Sequence, residues 1–251
     1  MESGTASFRT RIAVATVLAA AVVIAAVSLG QSLVHVFRIK HGDKTIVVTG
    51  SMKRRIVSDR IVWQATVVGR GPELAAAYRT MAAGTPKVIA FIEQRGVDPK
   101  SIITSAVRIR EIHPKDKEGH DVEEAIALYS VEQDIEIESA DVEKVATISR
   151  ESSQLIEQGI QIQSEAPKYL YTKLAELKIE LLAQAAKDAR LRADQIAANT
   201  GAKVAHLSQA KMGVMQVNAA NSSTATADGV NDTTSKEKDV LAIVTATFGV
   251  D

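Results

Sequence analysis

The chain has 251 residues, with 30 Lys and Arg balancing 30 Asp and Glu, so its formal charge is zero and bulk charge would not draw it to nucleic acid or anionic lipid. It contains no cysteine, which excludes disulfides, thiolate metal sites and a Cys nucleophile. Aromatic residues are only 4% of the chain, so the core must be built from small and branched aliphatic side chains, which make a scaffold more readily than a ligand pocket.

Residues 1–11 form a short tail carrying Arg9 and Arg11, and residues 12–37 contain no Asp, Glu, Lys or Arg. The densest part, 12–29, is almost wholly Ile, Val, Ala and Leu. As a helix it would be about 27 Å long, close to the thickness of a bilayer's hydrocarbon core. Segment 12–37 therefore predicts a transmembrane anchor in contact with the lipid bilayer. The alternative is a signal peptide, with Arg9 and Arg11 as its basic end and Ala25, Ala26 and Ser28 as small residues near a cleavage site. Signal cores run to about 15 residues, and here charge-free sequence continues to Arg38, which favours retention. Flanking charge does not orient the span, because Arg9 and Arg11 are matched by Arg38, Lys40 and Lys44.

The remainder, 44–251, reads as one α+β domain. The β-branched runs 45–51 and 59–68, separated by the basic stretch MKRRIVS, predict two strands with a connection, most simply an antiparallel pair. From Gly71 the period changes: Leu74, Tyr78, Met81, Thr85, Val88 and Ile92 share one helical face that ends before Gly96, and Pro86 predicts a kink or two shorter helices. Residues 101–112 alternate again, with Ile103, Val107 and Ile109 opposite Thr104, Arg108 and Arg110, as a strand with one wet face. After a polar loop at 113–124, Tyr129, Val131, Ile135 and Ile137 alternate with Ser130, Glu132, Asp134, Glu136 and Glu138. That acidic face would suit cross-strand ion pairs with the neighbouring arginine-bearing strand.

Residues 141–159 predict a helix capped by Asp141 and stopped at Gly159, with Val142, Val145, Ile148 and Ile156 apolar. A short strand at 160–164 precedes one long helix near 167–200, carrying Leu170, Leu174, Leu177, Leu181, Ala185, Ala189 and Ile196 and ending near Gly201. Residues 203–217 and 239–250 are the last strand candidates. Between them lies a tract of Asn, Ser, Thr, Ala and Asp, 218–238, with Val230 its only large aliphatic residue; it predicts a mobile polar loop.

No phosphate loop, dinucleotide fingerprint, HExxH or GxSxG occurs. The loop with His113, Asp116, Glu118, His120 and Asp121 has the residue types of a metal site, but its spacing matches no recognised one, and such residues are commonly just solvated. The triplets at Asn221 and Asn231 fit a glycosylation sequon, which arises often by chance in such tracts. Lys53, Arg54 and Arg55 would touch lipid headgroups or form a solvated turn, the turn being the simpler reading. Trp63 reads as core. No catalytic, cofactor-binding or metal residue is assigned.

Three strings in order, IVVTGS (46–51), RGVDPKSIITSAVRI (95–109) and AAKDARLRADQIAANTGAKVAHLSQ (185–209), resemble the SIMPL domain family of bacterial envelope proteins. They resemble its opening VTGxG-type strand, its helix-to-strand junction and its AxxDAxxKA-type helix leading into a strand, over about 44–251. The chain departs from the family at ALYSVEQDIEI (127–137) and at IQIQSEAPKYLY (160–171). The resemblance implies an extracytoplasmic domain with an antiparallel or mixed sheet packed by helices and no catalytic centre or cofactor. It favours a single-pass anchor in the bacterial cytoplasmic membrane with the N-terminus inside and the domain in the periplasm. Relatives look like builders of large homo-oligomeric rings, or proteins linked to oxidative stress. The leading expectation is a non-enzymatic, self-assembling scaffold, with 127–138 and 239–250 as candidate edge strands. A binding module or chaperone-like adaptor presenting 218–238 is the alternative, and a metal-dependent hydrolase using His113 and His120 the least favoured.

Overall fold

The computed structural model describes residues 44–251 apart from Glu124, Ser223 and Ala225, together with 26–29 and 31. Residues 26–29 and 31 are helical and exposed; the rest of the expected anchor, 12–37, lies outside the described residues. Among the described residues no helix is long and apolar enough to cross a membrane. The chain divides into two compact units.

The larger unit comprises Thr49–Ala189 and Lys211–Thr245. Its first sheet has the order β3 (Ile102–Thr104), β5 (Leu128–Ser139), β2 (Arg60–Gly71), β6 (Ile162–Ser164), with β4 (Arg108–Ile112) also on β5 and β7 (Lys168–Leu170) also on β2. Every pairing here is antiparallel. Alternation puts Ile61, Trp63, Ala65 and Val67 of β2 and Val131, Ile135 and Ile137 of β5 on one face. That face is closed by Met81, Val88 and Ile92 of α1 (Leu74–Glu93) and by Val145 and Ile148 of α2 (Val142–Glu151). Trp63 is fully buried there, its Nε1 donating to Ser164 Oγ at 3.0 Å.

The second sheet has β10 (Glu237–Val250) at its centre, with β1 (Thr45–Val57) on one side and β8 (Val204–Met212) on the other; β9 (Gln216–Ala219) also pairs with β10. Ile56, Val217, Val240, Ala242 and Val244 form a core with Leu177, Leu181 and Ala185 of α4 (Leu174–Asn199). The smaller unit holds the described part of Met1–Val48 with Arg190–Ala210 and Ala246–Asp251. In it Arg190 donates to the carbonyls of Val204 and Ala205, pairs with Asp194 at 3.1 Å and lies 5.3 Å over the Phe248 ring.

Two glycines permit close contact between strand and helix. A Cβ on Gly50 in β1 would lie 2.2 Å from the carbonyl oxygen of Ala185, and one on Gly69 in β2 would lie 2.1 Å from that of Ala77 in α1. Only a hydrogen fits at either place. Beside Gly50, Ser51 N donates to Asp188 Oδ2 of α4 at 2.8 Å.

Several expectations are corrected. The strands read at 45–51 and 59–68 do not pair: β1 lies in the second sheet and β2 in the first. MKRRIVS is not a connection but largely the second half of β1, its cations paired with carboxylates of α4 and β10. Arg54 forms a fork with Glu180 of α4 at 2.6 and 2.7 Å. Arg55 does so with Asp239 of β10 at 3.0 and 3.2 Å, and also donates to Asn221 Oδ1. Lys53 lies 3.7 Å from the same Asp239. α1 runs through Pro86 as one helix; the N–H lost there is outweighed by Met81, Thr85, Val88 and Ile92 buried on both sides of it.

The strand read at 101–112 is two short strands, separated where Ser105 turns its hydroxyl to accept from Asp134 N. β4 is wet on both faces because no helix covers Ile109. The helix read from 141 to 159 ends at Glu151 and resumes for one turn as α3 (Gln154–Glu157), which leaves Ile156 exposed. Asp141 does cap its start, accepting from Lys144 N. The long helix begins at Leu174, not near 167: residues 168–170 pair with β2, and Asp59 then holds both Thr172 N and its hydroxyl at 2.8 Å. Finally, 127–138 and 239–250 are not edges; β5 and β10 are paired on both sides.

The tract 218–238 contains fastenings that its composition hides. Buried Gln216 takes Val230 N on its oxygen and donates to Thr226 O, and buried Asn218 donates to Thr224 O. A parallel bridge joins Val217 to Asn231.

Gly50→Ala and Gly69→Ala should each lower stability by about 2–4 kcal/mol in urea unfolding, because helix and strand must part. Gly159→Ala, at a left-handed turn with open space around it, should cost only about 1 kcal/mol. A second test concerns Asp239, whose carboxyl is held at about 2, below the ordinary 3.8, chiefly by hydrogen bonds from Arg55 and then Asn221. A lowered folded-state value stabilises above the unfolded one, so this contribution is lost as pH falls from about 4 through about 2. Asp239→Asn should cost about 2 kcal/mol at neutral pH and show a shallower loss of urea midpoint on acidification.

Candidate functional site

β5 turns its acidic face to the arginines of β4. Arg108 grips Asp134 with both terminal nitrogens, at 2.5 and 2.9 Å, and Arg110 Nη2 meets both oxygens of Glu132 at 2.5 Å. Thr66 of β2 donates to the same Asp134 at 2.7 Å, and Ser130 to Glu132 at 3.3 Å. The hydrogen bonds from Arg110 and Arg108 hold the Glu132 and Asp134 carboxyls below the usual range, against the opposing effect of burial. The ladder expected from alternation is present and fixes β4 onto the sheet.

The other side of β3 and β4 pairs with no strand among the described residues. Here Ile103 and Ile109 are 59% and 55% exposed, with Val107 and Ile112 also exposed, so apolar side chains and open backbone groups occur together. The free side of β1 is different, since Asp188 and Glu180 of α4 meet it at Ser51 and Arg54. β8, exposed from His206 to Met212, is a second open edge.

A cavity of about 310 Å³ opens between β2, β7 and the strand-and-loop segment 231–238. Lys238 points inward from β10, its side chain only 2% exposed, donating to the carbonyl of Asp232 and lying 3.9 Å from that residue's Oδ2. Burial lowers the Lys238 ammonium from its usual range. Burial acts to raise the Asp232 carboxyl, but hydrogen bonds from Thr234 and Ser235 and the charge of Lys238 bring it below the ordinary value. Arg60, which also lines the cavity, lies 3.3 Å from Glu138. Two residues that line it, Arg60 and Asp232, each carry a buried atom, Nε and Oδ2, without a hydrogen-bond partner.

Sequence reasoning missed Lys238 and Asp232. The strand was expected to start at Asp239, and one residue more of the same alternation places Lys238 inside. The residues that were singled out have other roles. Asp116 Oδ1 accepts from the backbone of Glu118 and His120 and its Oδ2 lies 3.5 Å from His120 Nδ1, while His113 is tied to Ala125 O. Among the described residues no three His, Asp or Glu side chains are grouped to hold a metal. Asn221 sits at φ 66° with its oxygen on Arg55, and Asn231 lies in the bridge to Val217.

No curated protein matches the sequence. Solved structures with partial likeness include an amidase of the hydantoinase/carbamoylase family from Burkholderia phymatum, 11% identical over 57% of this chain and 37% of that one, TM-score 0.25. A protein from Burkholderia cenocepacia described as an amidohydrolase/peptidase is 13% identical over 61% of this chain and 37% of that one, TM-score 0.20. The chain thus spans well under half of either, and scores this low support no inference about fold or activity. The family described as "SIMPL: Protein of unknown function (DUF541)" matches residues 46–248. In the structure IVVTGS and the 185–209 string meet where Gly50 packs on Ala185 and Ala189 and Ser51 binds Asp188. The chain belongs to the SIMPL family.

Proposed function

We propose that this protein is a non-enzymatic scaffold, held to the outer side of the cytoplasmic membrane by segment 12–37, whose domains associate with copies of themselves through an open sheet edge. The observation that carries the reading is the β3–β4 edge, where exposed Ile103, Val107, Ile109 and Ile112 accompany unpaired backbone groups. Such an edge is a template for a further strand; β3 and β4 are only three and five residues long, so the exposed apolar side chains carry much of the contact proposed here. Here the two arginines that would repel another chain are turned back onto Asp134 and Glu132. A second copy suits it as occupant because the chain's formal charge is zero, so copies meet without net repulsion. Parallel anchors in one membrane would raise the local concentration of edges further.

The alternative, a module presenting 218–238, is less well supported, since Gln216, Asn218 and Asn231 fasten that tract. A hydrolase using His113 and His120 has the least support, because His113 is engaged by Ala125 away from the Asp116 and His120 pair.

The full chain in detergent should elute as a homo-oligomer in size-exclusion light scattering at micromolar concentration. Ile109→Lys, an exposed change worth no more than about 0.5 kcal/mol in fold stability, should shift the mass towards monomer. A wild-type monomer, or an I109K protein of unchanged oligomeric mass, would count against the edge.

A further inference from the structure

The cavity beside Lys238 has the build of a ligand site, and nothing in the self-assembly reading uses it. Four charged side chains line it, and they are balanced: Arg60 and Lys238 against Glu138 and Asp232. Each cation lies near one anion, yet each pair leaves an atom over. Arg60 keeps a buried Nε–H with no acceptor, and Asp232 a buried Oδ2 with no donor. An unmatched buried donor or acceptor is costly, so a partner that supplied both complements would recover that loss.

The rest of the wall is mainly apolar. Tyr169, Tyr171, Leu174 and Val217 give it aromatic and aliphatic surface, and the volume is at the small end for ligand pockets. A ligand with one charge would upset a balanced wall and meet only one of the two unmatched atoms. A wholly apolar one would meet neither.

We propose that this cavity binds a small zwitterion of the α-amino-acid class with an aliphatic side chain. Its carboxylate is received by Arg60 and Lys238, its ammonium by Asp232, and its side chain lies against Leu174 and Tyr169. Small side-chain rotations of Arg60 and Asp232 bring their unmatched atoms onto the ligand. Lys238 keeps its bond to the Asp232 carbonyl, which holds the loop closed behind the site.

Calorimetric titration of the full chain in detergent with L-leucine tests this, beside 4-methylpentanoate, which lacks the amine, and isoamylamine, which lacks the carboxyl. Saturable binding of leucine with Kd below about 1 mM is expected, with each analogue weaker by about tenfold or more. Asp232→Asn should weaken leucine by a similar factor. The analogue comparison uses the unaltered protein, so it stands even if the variant does not fold. No binding of leucine, an analogue binding as tightly as leucine, or undiminished binding by folded D232N would overturn the proposal. Because the assay is independent of oligomeric mass, its failure and that of the self-assembly reading are separable.

Discussion

The backbone of α4 lies against β1 so closely that no side chain fits between them at Gly50, and α1 does the same against β2 at Gly69. Much else answers to that constraint. A helix so near a strand must present small residues, and α4 buries Ala185 and Ala189 where it crosses Gly50, after Leu177 and Leu181 where there is more room. Closeness also brings polar groups into range: Asp188 reaches Ser51 N and Glu180 reaches Arg54, so α4 is tied to β1 by polar contacts as well as by packing. The strings 46–51 and 185–209 of this chain meet at this contact, which gives Gly50, Ala185 and Ala189 a physical reason to be small.

Charge is used inward as much as outward. Asp239, its side chain 4% exposed, gathers Arg55 and Lys53 and the backbone of Asn221, so it joins β1, β10 and the start of the polar tract. Asp134 and Glu132 do the equivalent for β4. Buried carboxylates with several donors are expensive to remove singly, though not always stabilising overall, and their value here is in fixing which strands lie together. The arginines are paired within the domain, so the exposed surface at β3–β4 combines neutralised Arg108 and Arg110 with apolar Ile103, Val107, Ile109 and Ile112.

Where burial follows a period, the sequence is legible: α1 from Met81 onward, β5, the body of α4 and β10 follow their apolar spacing, while Leu74 and Tyr78 at the start of α1 are exposed, and the ladder follows from opposite charges on facing alternations. The misses have one physical cause, side-chain partners distant in sequence. MKRRIVS looks like a loop until Glu180 and Asp239 are present to neutralise it. Residues 167–173 look helical until the edge of β2 and the Asp59 carboxylate take up their backbone. Strand centrality has no local signature either, so β5 and β10 read as edges, while β4, which lies at an open edge, reads as half buried. At the candidate site the arginine pairs were readable, but Lys238 was not, because a lysine flanked by Glu237 and Asp239 reads as solvated.

We propose that copies of this chain meet at the β3–β4 edge. Hydrogen exchange on the full chain at high and low protein concentration addresses it most directly, since it reports on backbone amides residue by residue. Amides of Ile102–Thr104 and Arg108–Ile112 should exchange markedly more slowly at the high concentration, while those of 113–123 are unchanged. Exchange along that edge that is fast and independent of concentration, in protein shown to be oligomeric, would contradict it.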